Sequence, residues 1–327
     1  MIPLLTVAIP HYNNVSGLLA TLNEVLNQNC PNLEVIVVDN ATGRSIDIAK
    51  GTFEDGFPKV SFFKNKTNIG YDANVDLCVR KSRGKFVWLL GAGDIPEKNA
   101  IKHLQKIINA YPQATNILLD VITDISFAKK DANHCLFTSQ LIEPTKNKLF
   151  LTDLYRSALS GNVVNRSSWL EASTEPLAFS NWCHAERSLQ MHTNVQRNSF
   201  AVNAHHIGVF VIRESEGWWN NSDLSFLHNV LLHRKILIYY GSKLFKNHQL
   251  PSHCKPFSLD IIKAMLYSRS ISKPASETEK VQVAEMIRDK KMLFIPYKII
   301  QLLPKAFLKT VIHCYKICKH NCKFFRQ

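Results

Sequence analysis

Three apolar, strand-like runs in the first third of the chain stop abruptly at polar residues, and this feature constrains the fold more than any other. The runs cover residues 5–10, 33–38 and 86–90, and they are followed by His-Tyr-Asn-Asn, Asp-Asn and Gly-Ala-Gly-Asp. In an open α/β sheet, ligands bind beyond the carboxyl ends of parallel strands. Three such ends, with helix-like segments between them, therefore predict one shared binding site.

The spacing of apolar residues between positions 4 and 111 predicts alternating strands and helices. The predicted strands cover 4–10, 33–38, 60–63 and 85–90, and the predicted helices cover 15–28, 43–51, 73–82 and 97–110. This alternation indicates a mostly parallel sheet with right-handed crossovers. Farther along, the predicted elements are strands over 117–122 and 209–212, a helix over 150–158, and a mainly helical chain from about 223.

Composition limits the class of protein. The chain has 327 residues, of which 46% are hydrophobic and 20% charged, so we expect a globular protein of about two domains. It contains no run of about 18 uncharged apolar residues, and its first residues enter a strand without a basic segment. We therefore predict neither a transmembrane helix nor a signal peptide. A spacing of four residues would place three thiols on one helix face, those of Cys314, Cys318 and Cys322. They are either apolar packing residues or a metal or redox site.

The net charge of +14 is concentrated at the carboxyl terminus. Residues 231–327 contain 19 Lys and Arg but only five Asp and Glu, whereas the charges of residues 1–230 cancel. A neutral body with a basic, aromatic tail predicts an electrostatic anchor on an anionic membrane surface, in which segment 292–325 lies in the interface. The alternative is a tail packed on the protein body with a solvated basic face. The tail has no recognised nucleic-acid motif, so we expect no nucleic-acid partner.

Four motifs resemble those of the family 2 glycosyltransferases, which have the GT-A fold. They are VAIPHYN at 7–13, EVIVVDN at 34–40, NIGYDAN at 68–74 and RGKFVWLLGAGD at 83–94. The third motif, together with SGNVVNR at 160–166 and the following Trp169, is most similar to the abequosyltransferase-like group of O-antigen enzymes.

The resemblance implies a GT-A-like α/β fold: a mostly parallel nucleotide-sugar-binding sheet flanked by helices, a mixed acceptor region and a basic helical tail. Residues 1–115 are then the nucleotide-sugar-binding half. Residues 116–222 are the acceptor-binding and catalytic half of the same domain, and residues 223–327 are a helical, basic region with a possible membrane association.

The resemblance also implies which residues contact the nucleotide sugar: Pro10, Tyr12, Asn14, Asp39, Asn68, Gly70, Asn74 and Asp94. Pro10 stops the first strand where a nucleobase can stack on Tyr12. Asp39 can accept hydrogen bonds from a base or ribose, or it can serve as a helix cap or turn residue. The group from Asn68 to Asn74 forms a loop that enters a helix, and its amides can fix the loop or touch the ligand.

Asp94 is the key position for a metal. GT-A enzymes typically carry an Asp-x-Asp signature that binds Mg²⁺ or Mn²⁺ through the diphosphate of the donor. Residues 91–94 here read Gly-Ala-Gly-Asp, so the acids expected at 92 and 93 are absent. We expect Mg²⁺ or Mn²⁺ on Asp94, the diphosphate, waters and His206. The alternatives are a metal-independent or impaired enzyme, or an Asp94 that only caps the strand end.

The second half should supply the catalytic base and the acceptor contacts. Glu186 is the first candidate for the base and His184 the second, although a Glu beside an Arg is also typical of a surface ion pair. Trp182 and Trp219 can stack on sugar faces or pack in the core. Arg166 and Arg213 are candidates for holding a diphosphate.

The resemblance implies transfer of a hexosyl or deoxyhexosyl group from a nucleotide sugar to a growing saccharide, with inversion. The implied acceptor is carried on a polyprenyl diphosphate in bacterial O-antigen, lipopolysaccharide or other surface polysaccharide synthesis. The protein is then cytoplasmic and peripheral at the inner face of the plasma membrane. The alternative is a catalytically impaired nucleotide-binding scaffold of a saccharide-assembly complex.

Overall fold

The computed structural model describes residues 2–43, 45–53, 60–122, 139–142, 158–173, 181–194 and 199–211, together with Leu177 and a few positions between 231 and 283. The chain divides into two compact units, Met1–Arg213 with Tyr240–His248 and Glu214–Tyr239 with Gln249–Gln327. All elements below belong to the first unit. The predicted helix over 150–158 lies outside the described residues except for its last position. The three clustered cysteines and the segment 292–325 lie wholly outside them.

The first half of the chain alternates strand and helix, as the sequence predicts. Its elements are β1 (Leu5–His11), α1 (Val15–Leu26), β2 (Leu33–Asp39), α2 (Ser45–Phe53), β3 (Val60–Lys64), α3 (Tyr71–Lys81), β4 (Phe86–Leu89), β5 (Asp94–Pro96) and α4 (Ala100–Ala110). Strands β3, β2, β1 and β4 lie side by side in this order and are all parallel. The parallel part of the predicted sheet is thus confirmed.

The second half builds the mixed region. Its elements are β6 (Asn116–Ile122), β7 (Ser139–Ile142), a 3₁₀ turn (Leu159–Gly161), β8 (Asn162–Asn165), α5 (Arg166–Ala172), α6 (Cys183–Asn194) and β9 (Ala201–Val211). Strand β8 pairs antiparallel with both β4 and β6, and β9 pairs parallel with β6. The sheet order is β3-β2-β1-β4-β8-β6-β9-β5, and β7 also pairs with β9. The last strand starts eight residues earlier than predicted.

Helices cover both faces of the sheet because the central strands are apolar on both sides. One core layer joins the side chains of Val7 and Ile9 to α1, α2 and α4, with Leu18, Leu22 and Leu104 among its buried members. The other joins Ala8 to α3, α5 and α6. Within the described ranges, no helix is long and apolar enough to cross a membrane. Covering both faces leaves the strand ends as the places where a ligand can reach the sheet.

Candidate active site

The carboxyl ends of β1, β2 and β4 lie at one edge of the sheet, which we call the carboxyl edge. His11 at the end of β1 is level with Asp39 at the end of β2, and β4 continues past Leu89 into residues 90–94, the Asp94 loop. The chain ends that the sequence predicts to converge are therefore neighbours in the fold. Such an edge is where open α/β sheets bind ligands.

The turn after β1 holds three of the predicted nucleotide-sugar contacts. Pro10 is partly buried at the strand end, and Tyr12 is 52% exposed. Asn14 is the N-cap of α1, since its Oδ1 accepts a hydrogen bond from the N–H of Gly17 at 3.0 Å. Its Nδ2 donates to the carbonyl of Ala92 at 3.0 Å. Asn14 thus ties α1 to the Asp94 loop, and Tyr12 presents an open aromatic face to a ligand.

Asp39 is fully buried at the end of β2, and its carboxylate bonds to the protein. Oδ1 lies 3.0 Å from His11 Nδ1 and accepts the Thr42 hydroxyl, while Oδ2 accepts the Thr42 N–H at 3.1 Å. These contacts fix the turn that follows β2. Asp39 therefore acts as a turn residue, which was the alternative to a contact with the base or ribose. They also orient the His11 ring, whose Nε2 is buried without a hydrogen-bond partner in the described part of the chain.

Asn68 and Gly70 shape the loop that leads into α3. The Asn68 side-chain oxygen accepts hydrogen bonds from Asn40 Nδ2 at 2.8 Å and from the Gly70 N–H at 2.9 Å. Gly70 caps α3 with a φ of +85°, a region that glycine enters without steric cost. Asn40 also accepts the N–H of Ile69 at 2.9 Å. The two predicted residues therefore fix the loop, and Asn40 is its central anchor.

Asn74 extends this set of amide contacts to the strands. Its Nδ2 donates to the carbonyl of Val38 at 3.0 Å, and its Oδ1 accepts from Asn65 Nδ2 at 2.9 Å. Asn65 also donates to Asn40 Oδ1 at 3.2 Å. We call Asn40, Asn65, Asn68 and Asn74 the asparagine network. It joins the end of β2, the loop after β3 and the first turn of α3 at the carboxyl edge.

The Asp94 loop is held on three sides. The Thr21 hydroxyl accepts the Gly93 N–H at 2.9 Å and donates to the Asp94 carbonyl at 3.0 Å. The Ser160 hydroxyl accepts the Gly91 N–H at 2.8 Å and donates to Asp94 Oδ2. A Cβ at Gly91 would lie only 2.7 Å from Asp94 Oδ2, so the loop needs glycine there. These contacts present a partly exposed carboxylate in a fixed position.

The residues around Asp94 offer a metal one carboxylate. Within the described ranges, no group of three or more His, Cys, Asp or Glu residues is arranged to hold a metal ion. His206 lies in β9, in which Val211 pairs with Asp94. The strand runs five residues from His206 to Val211, which separates the backbone of His206 from that of Asp94 by roughly 10 Å or more. The backbone register therefore does not bring His206 to Asp94. A single carboxylate fits Mg²⁺ or Mn²⁺ when the substrate's phosphates supply further ligands.

The first turn of α6 carries both candidate bases, and both are buried: His184 is 1% exposed and Glu186 is 4% exposed. The Tyr71 ring meets the His184 ring edge-on at 6.5 Å. Although 37% of Tyr71 is exposed, desolvation of its hydroxyl raises the pKa of the phenol, and the carboxylates of Asp72 and Asp94 raise it further. Tyr71, the first residue of α3, thus contacts α6 through His184.

The neighbour of Glu186 is not a surface arginine. Arg187 is 2% exposed, donates to the Ala172 carbonyl at 2.7 Å and to Gln190 Oε1 at 2.6 Å, and lies 3.8 Å from Asp76. Burial lowers the pKa of Arg187, and the Asp76 carboxylate offsets this only in part. Because Glu186 and Arg187 are both buried, the surface location that the sequence offered as the alternative for Glu186 does not apply.

Asp72 connects the two halves of the site. It is 3% exposed, and its carboxylate oxygens accept the backbone N–H groups of Asn181 at 2.8 Å and Cys183 at 3.1 Å. These groups open α6, where backbone donors lack partners within the helix. The first turn of α3 therefore holds the start of α6 against the carboxyl edge.

The predicted acceptor contacts are dispersed. Trp182 is buried at 8% exposure, as its core-packing alternative implies. Arg166 lies at the opposite end of the sheet from Asp94, because β8 runs antiparallel to β4 and the Arg166 N–H donates to the Lys85 carbonyl at 3.0 Å. Arg166 is thus away from Asp94, and its role in holding a diphosphate stays a prediction. Arg213 and Trp219 lie outside the described residues.

Sequence reasoning missed several residues of the site. Asn40, Tyr71 and Ser160 each lie inside a motif that the sequence singled out, so the motif was a signal although the residue was not chosen. Thr21 lies on the buried face of an ordinary amphipathic helix and had no distinguishing signal.

Comparisons with known proteins agree with this geometry. Residues 6–167 match the family model described as Glycosyl transferase family 2. Among solved structures, the chain is similar to Staphylococcus aureus TarS 1–349 in complex with UDP-GlcNAc, with a TM-score of 0.54 and 13% identity over 91% of this chain and 90% of that one. It is also similar to the mannosyltransferase PcManGT from Pyrobaculum calidifontis in complex with GDP-Man and Mn²⁺, with a TM-score of 0.52 and 14% identity over 97% and 81%. No curated protein matches the chain.

At this level of identity, likeness to solved structures shows the fold, and it confirms the predicted GT-A-like α/β architecture. The family match spans β1 to the start of α5, which includes the carboxyl edge, the asparagine network and the Asp94 loop. Residues 6–167 therefore carry a glycosyl transferase family 2 domain on this fold, and this match supports a glycosyltransferase.

Proposed function

We propose that the protein transfers a hexosyl or deoxyhexosyl group from a nucleotide sugar to a growing, lipid-linked saccharide in bacterial O-antigen or other surface polysaccharide synthesis, with inversion at the sugar. The observation that carries the proposal is the carboxyl edge itself. There an exposed Tyr12 and a partly exposed Asp94 lie on loops locked by Asn14, Thr21 and Ser160. Fixed groups of this kind suit a site that must orient a donor before reaction.

The donor is a nucleoside diphosphate sugar in this proposal. Support comes from the two similar structures, one bound to UDP-GlcNAc and the other to GDP-Man with Mn²⁺. Asp94 would hold Mg²⁺ or Mn²⁺ together with the donor's diphosphate, and such an ion neutralises charge on the leaving group. The hydrogen bond from Ser160 fixes the orientation of the Asp94 carboxylate before any ligand arrives.

The first turn of α6 supplies the base that accepts the proton of the acceptor hydroxyl. Residues two apart on a helix point to nearly opposite sides, so His184 and Glu186 cannot both face the same ligand. The His184 ring contacts the ring of Tyr71, the first residue of α3, which begins beside the carboxyl edge. This arrangement favours His184 over Glu186 as the base. The acceptor hydroxyl would approach between Tyr71 and the Asp94 loop.

Calorimetry with UDP, GDP, CDP and dTDP tests the donor site, each with Mn²⁺ and with EDTA. We expect one nucleotide to bind in a metal-dependent manner and to lose affinity in Asp94→Ala. Asp94→Asn is the matched control for charge, since its amide oxygen can still accept the Ser160 hydroxyl. Binding that ignores both EDTA and Asp94→Ala would contradict the role of Asp94.

Turnover distinguishes the two candidate bases. With the matching nucleotide sugar and a saccharide acceptor, His184→Ala should reduce kcat by about a hundredfold or more. Glu186→Gln should leave kcat within a few fold of the wild type. The opposite ranking would assign the base to Glu186.

A nucleotide-binding scaffold is the second candidate function, favoured by the Ala and Gly at positions 92 and 93. It predicts nucleotide binding without turnover of any donor. Measurable transfer or donor hydrolysis that is lost in Asp94→Ala would exclude it.

Peripheral binding to the cytoplasmic face of the membrane completes the proposal, and it depends on the basic residues of 231–327. Full-length protein should float with vesicles that contain phosphatidylglycerol and not with phosphatidylcholine vesicles. Flotation with both, or with neither, would contradict an electrostatic anchor.

A further inference from the structure

A cleft of about 490 Å³ opens at the amino-terminal ends of β1 and β4, opposite the carboxyl edge. We call it the basic cleft. Its lining includes the apolar residues 2–4 and the start of α5. The polar residues that line it are Asn32, Arg83, Lys85, Arg166 and Ser167. Three of these five side chains are cations.

The walls of the basic cleft are held by the sheet. The Lys85 N–H donates to the Pro3 carbonyl at 3.0 Å, and the Arg166 N–H donates to the Lys85 carbonyl at 3.0 Å. Arg83 is fixed by Glu34, which accepts its backbone N–H at 2.7 Å and its Nε–H at 2.6 Å. The cations therefore project from backbone that is already ordered, and a ligand need not organise it.

The charges in the cleft are not balanced. Glu34 is 7% exposed, and its carboxylate is directed at Arg83 and at the Thr6 hydroxyl, 2.6 Å away. Burial alone would raise the pKa of Glu34, but hydrogen bonds from Thr6 and Arg83 outweigh it and hold the pKa below its usual value. Glu34 thus offsets the positive charge of Arg83 and of no other cation in the cleft.

The other two cations of the basic cleft are Lys85 and Arg166. In the part of the chain that the structure describes, neither Lys85 nor Arg166 forms an ion pair. The Arg166 guanidinium donates from Nη2 to the Arg80 carbonyl at 3.2 Å, and its buried Nε has no hydrogen-bond acceptor. Two unpaired cations beside a concave surface favour an anion.

We propose that the basic cleft binds a phosphate group, with Lys85 and Arg166 as its main contacts and the outer nitrogens of Arg83 as a third. A guanidinium and an ammonium that line one cleft suit phosphate oxygens. The phosphate belongs either to a soluble diphosphate or to an anionic lipid headgroup. Because the cleft lies at the far end of the sheet from Asp94, this site is independent of the donor site.

The test compares two double variants of the full-length protein. Lys85→Gln with Arg166→Gln removes the unpaired charges of the cleft. Lys102→Gln with Lys106→Gln removes the same charge from the exposed side of α4 and serves as the control. Lys85→Gln alone is a third variant, because this exposed side chain can be changed without disturbing the backbone contacts of Arg166.

Calorimetry with inorganic pyrophosphate tests the soluble source. We expect about tenfold weaker binding in the cleft double variant, less than twofold in the control, and loss of affinity at high salt. Flotation with phosphatidylglycerol vesicles tests the lipid source, and there the cleft variant should float less than the control. If both variants weaken binding equally, or neither probe distinguishes the cleft variant from the wild type, the proposal is wrong.

Discussion

Replacement of Asp72 tests how the two halves of the site are joined. Both oxygens of this buried carboxylate accept backbone N–H groups at the start of α6, from residues more than 100 positions away in sequence. Asp72→Ala removes both acceptors and leaves two donors unpaired. Each unpaired buried donor costs about 1–3 kcal/mol.

The gain from removing a buried charge reduces this cost. Burial raises the pKa of Asp72, and hydrogen bonds from the two backbone N–H groups and from the Cys183 side chain offset the increase only in part, so the ionised form is held at some expense. We therefore expect Asp72→Ala to lower the free energy of unfolding by about 2–4 kcal/mol. Asp72→Asn keeps one acceptor oxygen and carries no charge, and it should cost about 1 kcal/mol.

The sign of the pH dependence follows from the raised pKa. Protonation of Asp72 favours the folded state, so its contribution to stability should fall as pH rises from the ordinary value of 3.8 through the raised folded value, and stay constant above it. Asp72→Asn should remove this change.

Chemical denaturation and hydrogen exchange of the α6 amides measure the effect. Exchange should increase at Asn181 and Cys183 in Asp72→Ala and spread into α6. Asp47→Ala, on the exposed side of α2, is the control and should change stability by less than about 0.5 kcal/mol. Equal stability of Asp72→Ala and Asp72→Asn would refute the idea that two accepted hydrogen bonds hold α6.

Three further predictions concern single residues. Gly91→Ala should displace the Asp94 carboxylate, 2.7 Å from the new Cβ, and weaken nucleotide binding about tenfold or more by calorimetry. Asn40→Asp should lower the free energy of unfolding by about 2–4 kcal/mol in denaturant, because a carboxylate would replace the amide donor that faces Asn68 Oδ1 at 2.8 Å. Burial lowers the pKa of His192 to about 3, so acid should destabilise the protein progressively from about pH 6.5 downward, and less so in His192→Gln.

Each of these has a control. A Cβ at Gly51, in exposed α2, meets nothing within 4 Å, so Gly51→Ala should leave nucleotide binding unchanged. Asn40→Ser loses the same hydrogen bonds without adding a charge. If it lowers the free energy of unfolding as much as Asn40→Asp does, repulsion between the new carboxylate and Asn68 Oδ1 is not the cause. If the free energy of unfolding depends on pH in the same way in the wild type and in His192→Gln, His192 is not held neutral in the fold.

The first half of the fold was predictable because its signals are local. Strands β1, β2 and β4 are nearly continuous apolar runs, as expected for parallel strands buried on both faces. Helix α4 buries Ile101, Leu104 and Ile108 at helical spacing. By contrast, β8 is four residues of Asn-Val-Val-Asn, fully buried between β4 and β6. With Asn at both ends, this segment has no strand pattern in the sequence, and only tertiary structure determines its pairing.

The site was predictable to the extent that it follows strand ends. The neighbouring positions of His11 and Asp39 follow from parallel pairing. The contact of Ser160 with Asp94 does not, since 66 positions separate the two and no periodic pattern links them. Arg166 shows the same limit: it shares a motif with Ser160, but the intervening antiparallel strand places the two residues at opposite ends of the sheet.

The asparagine network has a consequence for enzymology. Its members bond through neutral amides, which neither gain nor lose protons across the working range of an enzyme. The loop after β3 and the first turn of α3 should therefore keep their shape when pH changes, whereas a frame of carboxylates would loosen in acid. A pH–rate profile of this protein would then carry no contribution from titration within the asparagine network.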